Sequence, residues 1–383
     1  MYKRFLVALI GFAVLVSGSK KKEDKNSEEK DKQARVSAQE KQKTGLSFVH
    51  LFPSEVKGVF LAKSTGEVMA YGDEWVEYYD PEGKQLWKKT GYKFICGAGV
   101  SDDGRTVLFQ SSLAPKVQQT MLDLTVHVVE RDGSEAVNQP NPYRYFTSIL
   151  SSKGNYIVFG DPLAKKIFVY DRKLNLLWER ETYLWHIGFD PEEQLIYDSA
   201  LGMLLNLQGR RVWELPSGAK FLSVSSGAEI LLSQRFLTAK ARNQIYLTSR
   251  TTAQEVILEG LCAGVSYDGS LTALENPERK VQVWRTKELF DKMSRGQTGE
   301  VKPVWSGDFY LARQLRFSED NLRLFIYGET SQQSGRAEVI DLNKGRQVWE
   351  KDWINPPAFI SASNDTHAMV SASGSQLDYY RPR

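Results

Sequence analysis

The chain has 383 residues, a quarter of them charged, with 50 Lys and Arg against 47 Asp and Glu. Eleven of those basic side chains and six of the acidic ones lie in the first 44 residues, which leaves 39 against 41 in the remainder. A near-neutral domain lacks the positive field with which a nucleic-acid binder gathers phosphate, so that class is disfavoured.

Read from the start, Lys3 and Arg4 precede the apolar run Phe5 to Val16, and Ser17, Gly18 and Ser19 follow it. This is the order of a secretory signal over residues 1–19. The run of twelve residues is shorter than the ~20 that a membrane-spanning helix needs, so export is expected, with a retained signal anchor as the alternative. Leu15-Val16-Ser17-Gly18 resembles the lipobox of bacterial lipoproteins, but the next residue is Ser19, which has no thiol to carry a lipid thioether. Residues 20–44 are Lys, Glu, Asp, Gln and Ser with almost no large apolar side chain. Such a stretch cannot bury enough surface to offset its ordering entropy. It reads as a disordered tether, with a solvated helix of alternating charges as the alternative.

From residue 45 to residue 383 a small turn recurs between short runs of alternating apolar residues. Its clearest copies are Val100-Ser-Asp-Asp-Gly104 and Val265-Ser-Tyr-Asp-Gly269. Looser copies start at Ala62, Leu150, Phe189, Leu222, Phe317 and Ala362. The spacing is about 43 residues, the period of four-stranded propeller blades. The expected fold is all-β, a single propeller of eight blades, with seven as the alternative because the unit Phe221 to Leu258 matches loosely. Within one unit, Phe146 to Leu150, Tyr156 to Phe159, Ile167 to Tyr170 and Leu176 to Glu179 read as successive strands from the inside outward. Third strands end in a short polar residue, then a turn, then a tryptophan, as with Asp80, Gly83 and Trp87, or Asp341, Gly345 and Trp349. The tryptophan is expected to fill the gap between adjacent blades.

The last unit holds only three strands, Phe359 to Ala362, His367 to Ser371 and Gln376 to Tyr380, while Leu46 to Phe52 is a lone apolar run before the first full unit. Pairing the two would close the ring and cover two sheet edges. Cys96 and Cys262 lie four repeats apart, on inner strands across the channel. That is too far for a disulfide, whose alpha carbons must come within ~7 Å.

These motifs carry a family resemblance. Glu338 to Trp349, with Asp341, Gly345 and Trp349, resembles the quinoprotein (PQQ) repeat. The Ser-x-Asp-Gly turns and Val281-Gln282-Val283-Trp284 resemble WD40 repeats, although the Gly-His element is missing. The chain from about Leu46 onward therefore resembles the WD40-like and quinoprotein-like β-propeller superfamily. In layout, signal plus charged tether plus propeller, it is similar to the propeller lipoproteins of the Bam complex. That likeness implies a periplasmic or envelope location and a role as a scaffold for another envelope protein.

Catalytic signatures are sparse. There is no vicinal cysteine pair of the kind quinoprotein dehydrogenases commonly carry, no helical His pair at zinc spacing and no nucleophile elbow. No cofactor and no metal is expected. His186, at the start of an inner strand, is the candidate for a channel-mouth site. Partner-binding candidates lie where the chain departs from the bare repeat. Leu289, Phe290 and Met293 fall on one side of a helix expected over Thr286 to Ser294, which either caps the propeller or anchors a partner. The connection from Gln110 to Thr125 is long and lacks strand alternation. Tyr143, Arg144 and Tyr145, and Phe309 with Tyr310, are aromatic clusters suited to protein contact if exposed. The reading is an exported, monomeric, non-enzymatic interaction scaffold. The alternative is an enzyme or small-ligand binder with its site at the channel mouth.

Overall fold

The computed structural model describes residues 45–113, 124–141, 147–161, 164–184, 187–199, 201–237, 242–294, 301–330 and 334–382. The expected signal, 1–19, and tether, 20–44, lie outside the described residues. The strands form eight separate four-stranded antiparallel sheets, the blades of one propeller. Blades 1 to 7 span residues 58–90, 94–140, 147–181, 187–214, 219–258, 262–308 and 311–353, each with its strands side by side in chain order. Blade 8 is built from both ends of the chain. Leu46–Leu51 pairs with Gln376–Tyr380 outside Met369–Ser373 and Phe359–Ala362. The count is therefore eight, and the loosely matching unit is a complete blade, from Ala219–Val224 to Gln254–Leu258.

The recurrent turn is held by its own side chains. The Ser101 Oγ accepts a hydrogen bond from the Thr106 N–H (3.0 Å) and donates to the Asp103 carboxylate (2.7 Å), which in turn accepts from the Arg105 N–H (3.0 Å). Ser266, Ser318 and Ser363 repeat the arrangement with Asp268, Asp320 and Asp365. Asp190 takes the serine's place in blade 4, its carboxylate accepting from the Leu195 N–H at 2.6 Å. A short polar side chain that satisfies backbone donors explains why serine and aspartate recur at these positions.

Blades adhere through side chains that the repeat places alike. The middle strands are buried on both faces, so they read as runs rather than as alternation; all seven residues of Thr106–Ser112 are buried. One cluster joins Val158, Ile167 and Val169 of blade 3 to Ile187, Ile196 and Leu205 of blade 4. Each such aliphatic side chain contributes about 1.5–3 kcal/mol when removed from water.

Outer-strand tryptophans lie over the next blade, as the sequence predicts. Trp178 of blade 3 donates its indole N–H to the Leu207 carbonyl of blade 4 (2.8 Å) and rests on Gly209. A Cβ at Gly209 would stand 2.8 Å from that ring, and the residue's φ of +74° already disfavours other side chains. Trp87 of blade 1 sits likewise on Gly133 of blade 2, where a Cβ would stand 3.1 Å from the ring. At the closure, Phe48 stacks on Tyr379 (4.8 Å), whose hydroxyl donates to the Gly66 carbonyl of blade 1 (3.0 Å). Cys96 and Cys262 sit on the inner strands of blades 2 and 6, on opposite sides of the ring, and neither is in a disulfide.

Candidate functional site

Antiparallel pairing gives the propeller two unlike faces. One, the turn face, carries the turns between first and second strands and between third and fourth. The other, the loop face, carries the connections between second and third strands and the links from blade to blade.

On the turn face, neighbouring first turns are tied together at seven of the eight junctions. Backbone N–H groups of Ser64, Asp102, Ser226, Glu319 and Asn364 donate to the carbonyls of Asp102, Ser152, Tyr267, Asn364 and Lys63, at 2.6–2.7 Å. Two further junctions use side chains. The Lys153 N–H donates to the Glu193 carboxylate, and the Gly227 N–H to Asp190 (3.1 Å). At about 1 kcal/mol net for each bond, this belt stabilises ring closure and uses the polar groups a partner would otherwise contact.

The loop face differs. Leu261, Tyr310 and Ile354 stand exposed on three consecutive links, those joining blades 5–6, 6–7 and 7–8, and Ile354 is 92% exposed; Leu51, the last residue of the outer strand of blade 8, is exposed where the next link begins. Leu113 and Leu201, in the second connections of blades 2 and 4, are exposed on the same face. The turn face exposes Leu322, Leu176 and Val304. Beside Tyr310 a pocket of about 360 Å³ opens between blades 6 and 7, bordered by Glu278, Arg279, Asp308, Glu329 and Arg336. Arg279 lies over the Tyr310 ring (5.4 Å) and pairs with buried Glu275 (3.3 Å), which also accepts the Ala312 N–H (3.0 Å). Burial pushes the Glu275 carboxyl above its ordinary value, outweighing the pull of Arg279.

The sequence candidates divide accordingly. The expected helix is present as α1 (Thr286–Ser294), but it does not offer its apolar side outward. Leu289 and Phe290 are buried with Leu232, Leu247 and Val256 of blade 5 and Trp284 of blade 6, so α1 fills the junction of two blades. The Met293 side chain lies outside the described residues, as do Tyr143, Arg144, Tyr145 and His186. Phe309 is buried between blades 6 and 7, whereas its neighbour Tyr310 is half exposed. Gln110 belongs to the second strand of blade 2, and the connection after that strand begins at Leu113.

One arrangement was not visible in the sequence. The Ser111 hydroxyl lies 2.8 Å from His127 Nε2, and His127 Nδ1 lies 3.4 Å from the Glu135 carboxylate, which is also bound by Lys89 (2.8 Å). The connectivity is that of a hydrolase triad. Ser111, however, is 3% exposed and His127 is stacked on Phe109 (4.4 Å), so the hydroxyl presents no surface to a substrate. Burial holds the imidazole below its usual pKa despite Glu135. The group runs from buried Ser111 and His127 out to the partly exposed Glu135–Lys89 pair, which ties the outer strands of blades 1 and 2.

No protein-family model and no curated protein matches the chain. Solved structures do. Saccharomyces cerevisiae Sqt1 aligns at 11% identity with a TM-score of 0.55, over 88% of this chain and 99% of that one. The Dos1 propeller aligns at 10% identity with a TM-score of 0.54, over 88% and 95%. At these identities the likeness shows the fold alone: the molecule is an eight-bladed β-propeller.

Proposed function

We propose that this WD40-like propeller is a non-enzymatic scaffold, exported to the periplasm or cell envelope, that binds a partner protein through its loop face. The carrying observation is the arc of exposed Leu261, Tyr310 and Ile354 on three consecutive links, continued by Leu51 at the end of the closing strand. Apolar side chains repeated along one rim are the kind of surface that marks a contact site. The pocket beside Tyr310 holds four carboxylates, Glu278, Asp308, Glu329 and Glu338, against Arg279 and Arg336. It suits a basic side chain of the partner, which would meet both charge and an aromatic face. The WD40 propeller neighbours favour protein interaction in general. Export rests on residues 1–19, and the polar segment 20–44 supplies reach from a membrane or from a retained signal.

The test is site-specific photocrosslinking in the envelope of the cell that makes the protein, using the full chain. The crosslinking residue is placed at position 261, 310 or 354, or on the turn face at 322. One protein captured from all three loop-face positions and not from 322 is the expected result. Capture from 322 alone, or from none, overturns the loop-face assignment. Recovery of uncleaved protein in the cytosol after fractionation overturns export.

A further inference from the structure

The channel holds a charge cluster that the repeat does not require. Each first strand approaches its turn with an equivalent residue, two before the one whose N–H closes the turn. Seven blades place a neutral residue there: Gly99, Gly188 and Gly264, Ser223 and Ser361, Phe60 and Ile149. Blade 7 alone places a charge, Arg316. Its guanidinium donates to the Ala362 carbonyl (2.8 Å) and the Asn364 side-chain oxygen (2.5 Å), both neutral acceptors. No carboxylate lies within ion-pair distance of it among the described residues. Lys63, on the first turn of blade 1, lies 3.3 Å from Asp102 and borders the same cavity.

Two cations therefore have one carboxylate between them. The other acids of this mouth are engaged or remote. Asp103 closes its own turn, Asp190 accepts the N–H groups of Gln194, Leu195 and Gly227, and Glu192 is held by Lys153 and Tyr267. Glu319 stands exposed at the rim. Burial lowers the proton affinity of both Lys63 and Arg316, and Arg316 lowers that of Lys63 further, as expected where positive charges face each other.

The cavity they border has about 880 Å³, within the range of small-molecule sites, and Phe60, Leu150, Phe189, Leu222 and Ile360 are among its lining. An arginine has five N–H donors in a planar fork, of which Arg316 uses two on neutral protein acceptors. A planar two-oxygen anion matches that fork.

We propose that the turn-face end of the channel binds a carboxylate carried on an apolar body, with Arg316 and Lys63 holding the carboxylate and the channel lining covering the body. The carboxylate can belong to a small molecule or to the free C-terminus of a peptide. This site is independent of the loop-face contact and does not need it.

The test is calorimetric titration of the full chain with decanoate, and with decanol as its neutral counterpart. A tetrapeptide of apolar residues is titrated in parallel with a free and an amidated C-terminus. Decanoate or the free-ended peptide is expected to bind at least tenfold more tightly than its neutral counterpart. Arg316→Gln is expected to lose tenfold or more, Lys63→Met several-fold, and Arg316→Lys, which keeps the charge without the planar fork, to recover only part of the affinity, with melting temperatures showing that each variant folds. Binding of decanoate alone identifies a small-molecule site, and binding of the free-ended peptide alone a chain terminus. Equal affinity for charged and neutral probes, affinity unchanged in folded Arg316→Gln, or no binding of any probe overturns the proposal.

Discussion

The turn face and the loop face are built from the same eight repeats, yet they differ in what remains free. On the turn face, short polar side chains close seven of the eight first turns, blade 1 with Ala62 being the exception, and most turns are bonded to the next, so polar groups are used within the fold. On the loop face the links vary in length and hold out Leu261, Tyr310 and Ile354, with Leu51 exposed at the end of the closing strand. Repetition serves closure on one side, and departure from repetition leaves room for recognition on the other. Loops on a rigid frame are where binding residues usually sit.

The contrast can be broken at several points. The largest effect is expected from deleting Leu46–Leu51, which removes the outer strand of blade 8 and reopens the ring. The loss should be comparable with a whole domain's stability of about 5–15 kcal/mol, seen as loss of cooperative unfolding in a thermal melt. Gly209→Ala, which pushes a Cβ into the Trp178 ring at a positive φ, should cost about 2–4 kcal/mol in urea denaturation. Ser266→Ala removes the two hydrogen bonds that the Ser266 hydroxyl makes in the blade 6 turn and should cost about 1–2 kcal/mol by the same measurement.

A smaller effect lies beneath the loop face. The His127 imidazole is held below the ~6.5 of a free side chain, so the unfolded chain takes the proton first as pH falls. Stability should be complete above that value and decline as pH drops through it toward the folded pKa. His127→Gln should flatten that part of a stability-versus-pH curve. The smallest effect on folding is expected from Ile354→Asp, within about 0.5 kcal/mol of the parent because the side chain packs on almost nothing. The same change should weaken partner binding about tenfold or more, which separates recognition from stability.

Much of the fold could be read from local pattern. The Ser-x-Asp-Gly turns, the alternating runs and the orphan strand at Leu46 report interactions a few residues long, or a missing element that the other end of the chain supplies. The tryptophan positions follow from the same register. The partner-binding candidates were less legible. An apolar residue at a break in the repeat is consistent with a contact site and with packing, and pattern does not separate the two. Leu289 and Phe290 resolve as packing because blade 5 stands beside α1. Phe309 and Tyr310 are adjacent in sequence, but one enters the junction of blades 6 and 7 and the other leaves it. Arg316 had a signal that alignment of the eight turns exposes, a charge where seven repeats are neutral.

By itself the sequence determined the repeat, the strand order, the turn chemistry and the closing pair, because each depends on hydrogen bonds and periodicities that a short stretch of chain carries within it. Only the tertiary structure decided the belt between turns, the Ser111–His127–Glu135 tie, the meeting of Arg316 with Lys63 and the exposed arc. Those depend on how blades far apart in the chain lie against one another, and burial and charge balance are properties of that packing.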